Sequence, residues 1–154
     1  MERPRRPNPS VAPGAGFRHI LIPSDLTDRT EAALTMAGKF ALPSSSRITL
    51  LHVIETIDGR KSKELKSFYA RLERKARAAL TSLSRGAARG SPAIETAVVY
   101  GRRADQIVDF AAANAVDLIV LVSHRVNPSM VNRDWGSISY KVSILAQCPV
   151  LLVK

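Results

Sequence analysis

Asp117-Leu-Ile-Val-Leu-Val122 and Pro149-Val-Leu-Leu-Val-Lys154 bracket the stretch that decides the fold. Between them lie a polar loop from Ser123 to Asp134 and a helix opening at Trp135-Gly136-Ser137. Short apolar runs of this kind, flanked by polar residues, read as buried parallel strands. A loop that leaves the carboxyl end of such a strand and feeds a helix is where α/β folds bind phosphates. Gly136-Ser137 at the helix start offers bare N–H groups and a hydroxyl to an anion; the same serine can act as a plain N-cap.

Working outward, the same alternation runs through the rest of the chain. Phe17-Arg-His-Ile-Leu-Ile-Pro23 is an apolar strand stopped by proline. Thr27 or Asp28 is placed to cap the helix that follows to about Ala41, with Glu31 near its positive end. Ala33, Met36, Ala37 and Phe40 mark that helix's apolar face. Arg47–Ile54 is a second strand, and Lys61–Arg85 a long amphipathic helix carrying Leu65, Phe68 or Tyr69, Leu72, Ala76, Ala79 or Leu80, and Leu83 at steps of three and four. Ala93–Tyr100 is a third strand; Gly101 then turns into a helix that ends near Asn114. The order βαβαβαβαβ predicts one α/β domain, a doubly wound parallel sheet with right-handed crossovers. Residues 1–16, with four prolines and three arginines, read as a flexible basic arm outside the domain at 17–154.

Composition narrows the function classes. At 154 residues the chain fits one domain with a full core. Its longest apolar runs are far short of the ~20 residues of a membrane span, and the N-terminus has no apolar signal core. One cysteine, Cys148, excludes an intramolecular disulfide and fits a reducing cytoplasm. The net charge is +10, concentrated between Asp58 and Arg89, where ten Lys/Arg stand against three acids. The absence of interleaved aromatics or a helix-turn-helix pattern speaks for a solvated helix face rather than a nucleic-acid partner.

No catalytic constellation is present. His19, His52 and His124 are isolated, at no metal-ligand spacing. The first two lie inside apolar strands as satisfied core or edge histidines; His124, at a strand exit, orients its loop or reaches a phosphate. No Gly-x-Ser-x-Gly, Walker-type or Gly-x-Gly-x-x-Gly element occurs. Three loops should instead meet at the carboxyl edge of the sheet. Asp25 is placed to accept hydrogen bonds from a base amine or ribose hydroxyl, or to cap the next helix. Val53 either offers backbone groups to a base or is plain core strand. The third loop runs from Ser123 to Ser137.

In this order the motifs resemble the universal stress protein family. Ile20-Leu-Ile-Pro23-Ser-Asp25 resembles its opening Pro-x-Asp element, Leu50-Leu-His-Val53 the end of its second strand, and Val99-Tyr-Gly101 its third strand and turn. Val116–His124 resembles its fourth strand, and Gly136-Ser137 with Ala146-Gln-Cys-Pro-Val-Leu-Leu-Val153 its close. The resemblance covers Phe17 to Lys154. It implies a five-stranded Rossmann-like sheet of order 3-2-1-4-5, related to the adenine nucleotide alpha hydrolase-like folds. It also implies a homodimer through Val150–Val153, and with the lone cysteine and the missing catalytic constellation the reading is a cytoplasmic, non-enzymatic stress-response module, a slow nucleotide hydrolase being the lesser alternative. The site it implies, for ATP or another adenine nucleotide, is Pro23, Asp25, Val53, Val122, Arg125, Gly136 and Ser137. Val122 and Arg125 stand where the ATP-binding branch has the two glycines of a G-x-x-G loop, and the segment to Gly136 is one residue longer. Side chains there crowd a phosphate that glycine would admit, which implies weakened or lost ATP binding.

Overall fold

The structure, a computed structural model, describes residues 16–42, 44–56, 63–87, 92–123 and 137–154. Five strands and four helices alternate along them: β1 (His19–Pro23), α1 (Arg29–Phe40), β2 (Arg47–Ile54), α2 (Lys63–Ala87), β3 (Ala93–Tyr100), α3 (Arg103–Ala113), β4 (Leu118–Val122), α4 (Ile138–Leu145) and β5 (Val150–Val153). All pairings are parallel, and the sheet order is β3-β2-β1-β4-β5, as expected. The winding reverses between β1 and β4. Residues 1–15, the bulk of the expected arm, lie outside the described residues, as do His124, Arg125 and Gly136.

The strand period of two divides the core between the faces of the sheet. Ile20 and Ile22 of β1, Ile48 and Leu50 of β2, and Leu118 and Val120 of β4 pack with Ala33, Leu34 and Ala37 of α1 and Leu80 of α2. On the other face Leu21, Leu51, Val53, Ile119 and Leu121 pack with Ala104, Ile107 and Ala111 of α3 and Val142 of α4. Each large aliphatic side chain buried in this way contributes about 1.5–3 kcal/mol relative to exposure, so both helical layers are held by burial.

Two expectations for α1 need correction. Its buried face is Thr30, Ala33, Leu34 and Ala37. Met36 is half-buried, and Phe40 is exposed, meeting Phe17 edge-on at 6.3 Å between ring centres. The helix turns its Thr30–Leu34 line to the sheet, where Thr30 bonds Ser24. Neither Thr27 nor Asp28 caps it with a side chain. The Thr27 hydroxyl is spent on Asp25 instead, at 2.6 Å.

The amino ends of the central strands are pinned together. The Asp117 carboxylate accepts from the amides of Arg18 and His19, both at 2.9 Å, and the Asp117 amide returns a bond to the His19 carbonyl at 3.0 Å. The His19 ring bridges the Asn114 carbonyl and the buried Thr49 hydroxyl, at 2.9 and 2.8 Å. At the opposite end β1 and β4 separate. Their register stops at Leu21–Ile119, and Pro23, which has no amide hydrogen, can donate to no neighbour.

Candidate functional site

The parting of β1 and β4 opens a cavity of about 170 Å³ at the point where the winding reverses. This is where doubly wound sheets place their ligands. The end of β1 lines it with Pro23, Ser24 and Asp25, and the ends of β2 and β4 with Leu51, Val53, Leu121 and Val122. Thr30 of α1, Arg103 and Ile107 of α3, and Ser137, Ile138 and Ser139 at the start of α4 complete the wall. Five of the residues expected from sequence, Pro23, Asp25, Val53, Val122 and Ser137, therefore line one space. Arg125 and Gly136 lie outside the described residues.

Asp25 is fixed by its own turn. Its Oδ1 accepts from the Thr27 amide at 3.1 Å and from the Thr27 hydroxyl, and its Oδ2 from Arg29 Nη2 at 2.7 Å. Leu26 between them adopts a left-handed backbone with φ of 64°, a conformation that costs a branched residue energy and that bends the chain back over the carboxylate. Partial burial alone would raise the carboxyl's pKa. The Thr27 hydrogen bonds and the Arg29 charge outweigh it and hold Asp25 below the usual carboxylate range. Asp25 thus organises the entry to α1 and also presents an ionised acceptor at the cavity.

Beneath it the Ser24 and Thr30 hydroxyls share a buried hydrogen bond of 2.8 Å, and Ser24 Oγ accepts from the Leu26 amide at 3.0 Å. The Ser24 carbonyl accepts from His52 Nδ1 at 2.9 Å, so His52 serves the loop rather than a ligand. Val53 is almost wholly buried, with its side chain in the α3 layer. Ser137 is the N-cap of α4; its Oγ accepts from the Tyr140 amide at 3.2 Å. Helix α4 begins at Ile138, three residues after the start expected at Trp135.

Sequence reasoning missed Ser24, Thr30 and Arg103. For Arg103 the signal was positional: the loop after β3, Gly101-Arg102-Arg103, leaves the same edge as the three loops considered. Gly101 has φ of 140° and hydrogen-bonds the Ile54 carbonyl. A Cβ there would lie 2.9 Å from Gln106 Cγ, so glycine makes the turn that delivers Arg103 to the cavity. Arg103 Nη2 meets Glu55 Oε2 at 3.2 Å. Among the described residues no three His, Cys, Asp or Glu side chains cluster to hold a metal ion, and no helix is long and apolar enough to cross a membrane.

Comparison with known proteins agrees with this geometry. The model of the universal stress protein family matches residues 16–154. A Thermus aquaticus protein described as a universal stress protein in the QAH/OAS sulfhydrylase 3′ region is 30% identical over 142 residues, spanning 90% of this chain and 99% of its own. Among solved structures, universal stress protein UspA from Lactobacillus plantarum superposes with a TM-score of 0.72 at 28% identity, over 91% of this chain and 99% of that one. A universal stress protein solved in complex with cAMP superposes at 0.68 and 21% identity, over 90% and 97% of the two chains. Motif order, sheet topology and matches running nearly end to end agree: the chain belongs to the universal stress protein family.

Proposed function

We propose that this family member is a non-enzymatic stress-response module that senses an adenine nucleotide, gripping base and ribose and holding a triphosphate weakly or not at all. The observation that carries the reading is the cavity between β1 and β4, which gathers Pro23, Asp25, Val53, Val122 and Ser137. Its chemistry suits a nucleoside. Leu51, Val53, Ile107 and Leu121 supply apolar walls for a flat base, while the ionised Asp25 accepts from an amine or a ribose hydroxyl. At about 170 Å³ the cavity is below the ~300–1,000 Å³ usual for whole small-molecule sites, so part of a bound nucleotide would lie outside it. The cAMP complex of a structural neighbour and the AMP complex of another, from Arabidopsis thaliana, support an adenine ligand in this fold. Val122 replaces the glycine with which the ATP-binding branch admits phosphates, and so favours a monophosphate over ATP.

Thermal-shift titrations with adenosine, AMP, cAMP, ADP and ATP test the reading. A ligand at ~100 times its dissociation constant stabilises the fold by ~2.7 kcal/mol. AMP or cAMP should shift the melting temperature at lower concentration than ATP, and Asp25→Ala should abolish the shift. No shift with any of the five at millimolar concentration retires the sensor reading.

A further inference from the structure

We propose that Arg103 is the cation that reads the ligand's phosphate, released from Glu55 as the anion arrives. The inference rests on the adenine-nucleotide reading and deepens it. Among the described residues Arg103 is the one Lys or Arg that lines the cavity. It stands in the first turn of α3, the positive end of that helix, and Gly101 turns the chain to put it there. Arg29, another described arginine near the site, is bound to Asp25 at 2.7 Å and belongs to the turn.

The hold of Glu55 on Arg103 is of the kind a ligand displaces. It is a single contact of 3.2 Å between side chains 43% and 58% exposed. Exposed pairs of this kind gain little from each other in water. A guanidinium carries five N–H donors in a planar fork, and a phosphate can take two of them in parallel, in shorter charge-assisted bonds. Glu55, at the end of β2, and Arg103, at the start of α3, lie on adjacent loops of one sheet edge. The exchange therefore needs only a side-chain rotation. Side-chain charge in this way takes over part of the work that backbone amides do in a glycine-rich cradle. A single guanidinium offers one such fork, so a second and third phosphate find no fork of their own.

The test is a pair of titrations, AMP against adenosine, on the full chain and on Arg103→Gln and Glu55→Gln. Adenosine binding by the unaltered chain checks the underlying reading by itself, because it involves no phosphate; if neither adenosine nor AMP binds, that reading and this inference fall together. With binding established, Arg103→Gln should weaken AMP about tenfold, the equivalent of about 1.4 kcal/mol, and leave adenosine within about twofold. Glu55→Gln should tighten AMP two- to threefold or so, by removing the competing carboxylate, with adenosine again unmoved. Rising salt should weaken AMP in the unaltered chain and much less in Arg103→Gln. Equal loss of AMP and adenosine in Arg103→Gln, or AMP binding indifferent to it, overturns the inference while leaving the nucleoside site in place.

Discussion

Among the described residues His19 is a buried titratable group whose ring ties β1 to Thr49 of β2 and to the carbonyl of Asn114. The Asn114 carbonyl can only accept, so Nδ1 carries the proton and Nε2 takes a hydrogen bond from the Thr49 hydroxyl. Burial, the largest influence, lowers its pKa below the ordinary 6.5, against the opposing pull of the Asn114 carbonyl. The unfolded chain therefore binds a proton that the folded one resists. The stability His19 confers is complete above pH 6.5 and declines as pH falls below it. His19→Leu should cost about 1–3 kcal/mol in urea unfolding at pH 7.5, because Thr49 loses its partner. It should also remove His19's part of the decline below pH 6.5. An unchanged pH slope in the variant would mean the decline has another source. At this scale the sequence was legible where residue type and position agree, as for Asp25 after a strand-ending proline. It was illegible for Arg103, whose part depends on which loops the sheet brings side by side.

Helix α3 shows how an element ends without its usual residue. Ala115, just past the end, has φ of 51°, and the Val116 amide bonds back to the Ala111 carbonyl at 3.0 Å. That is a Schellman closure, in which the left-handed position ordinarily holds glycine. Ala115 is exposed, so its methyl group is not needed for packing. Ala115→Gly should relieve the strain and raise stability by about 0.5–1 kcal/mol, net of the added freedom of the unfolded chain. A chemical denaturation midpoint that falls instead would show that the methyl group matters. The strands were the most legible elements: β2 and β3 have the bounds that their apolar runs suggested. Helix α1 was less so, since a three-to-four spacing fits two overlapping faces. Leu34 rather than Met36 and Phe40 packs on the sheet, on the side where Thr30 bonds Ser24, and that tertiary packing leaves no local trace. The N-cap of α1 misled for a related reason, as Thr27 bonds backwards to Asp25.

At the scale of the molecule, β5 is an outer strand of the sheet, with Leu152 39% exposed and Ile144 and Leu145 of α4 exposed beside it. An apolar edge of this kind invites strand pairing, and we propose that a second copy covers it. Leu152→Lys should then convert a dimer to a monomer in analytical ultracentrifugation; a dimer that survives the charge would place the interface elsewhere. The two ends of the sheet are built differently. The amino ends are locked by the Asp117 and His19 bonds, whereas the carboxyl ends of β1 and β4 part around solvent-facing Asp25, Glu55 and Arg103. Shape and specificity are thereby written at opposite poles. The side chains at the open pole can therefore be exchanged without breaking the hydrogen bonds that hold the closed one.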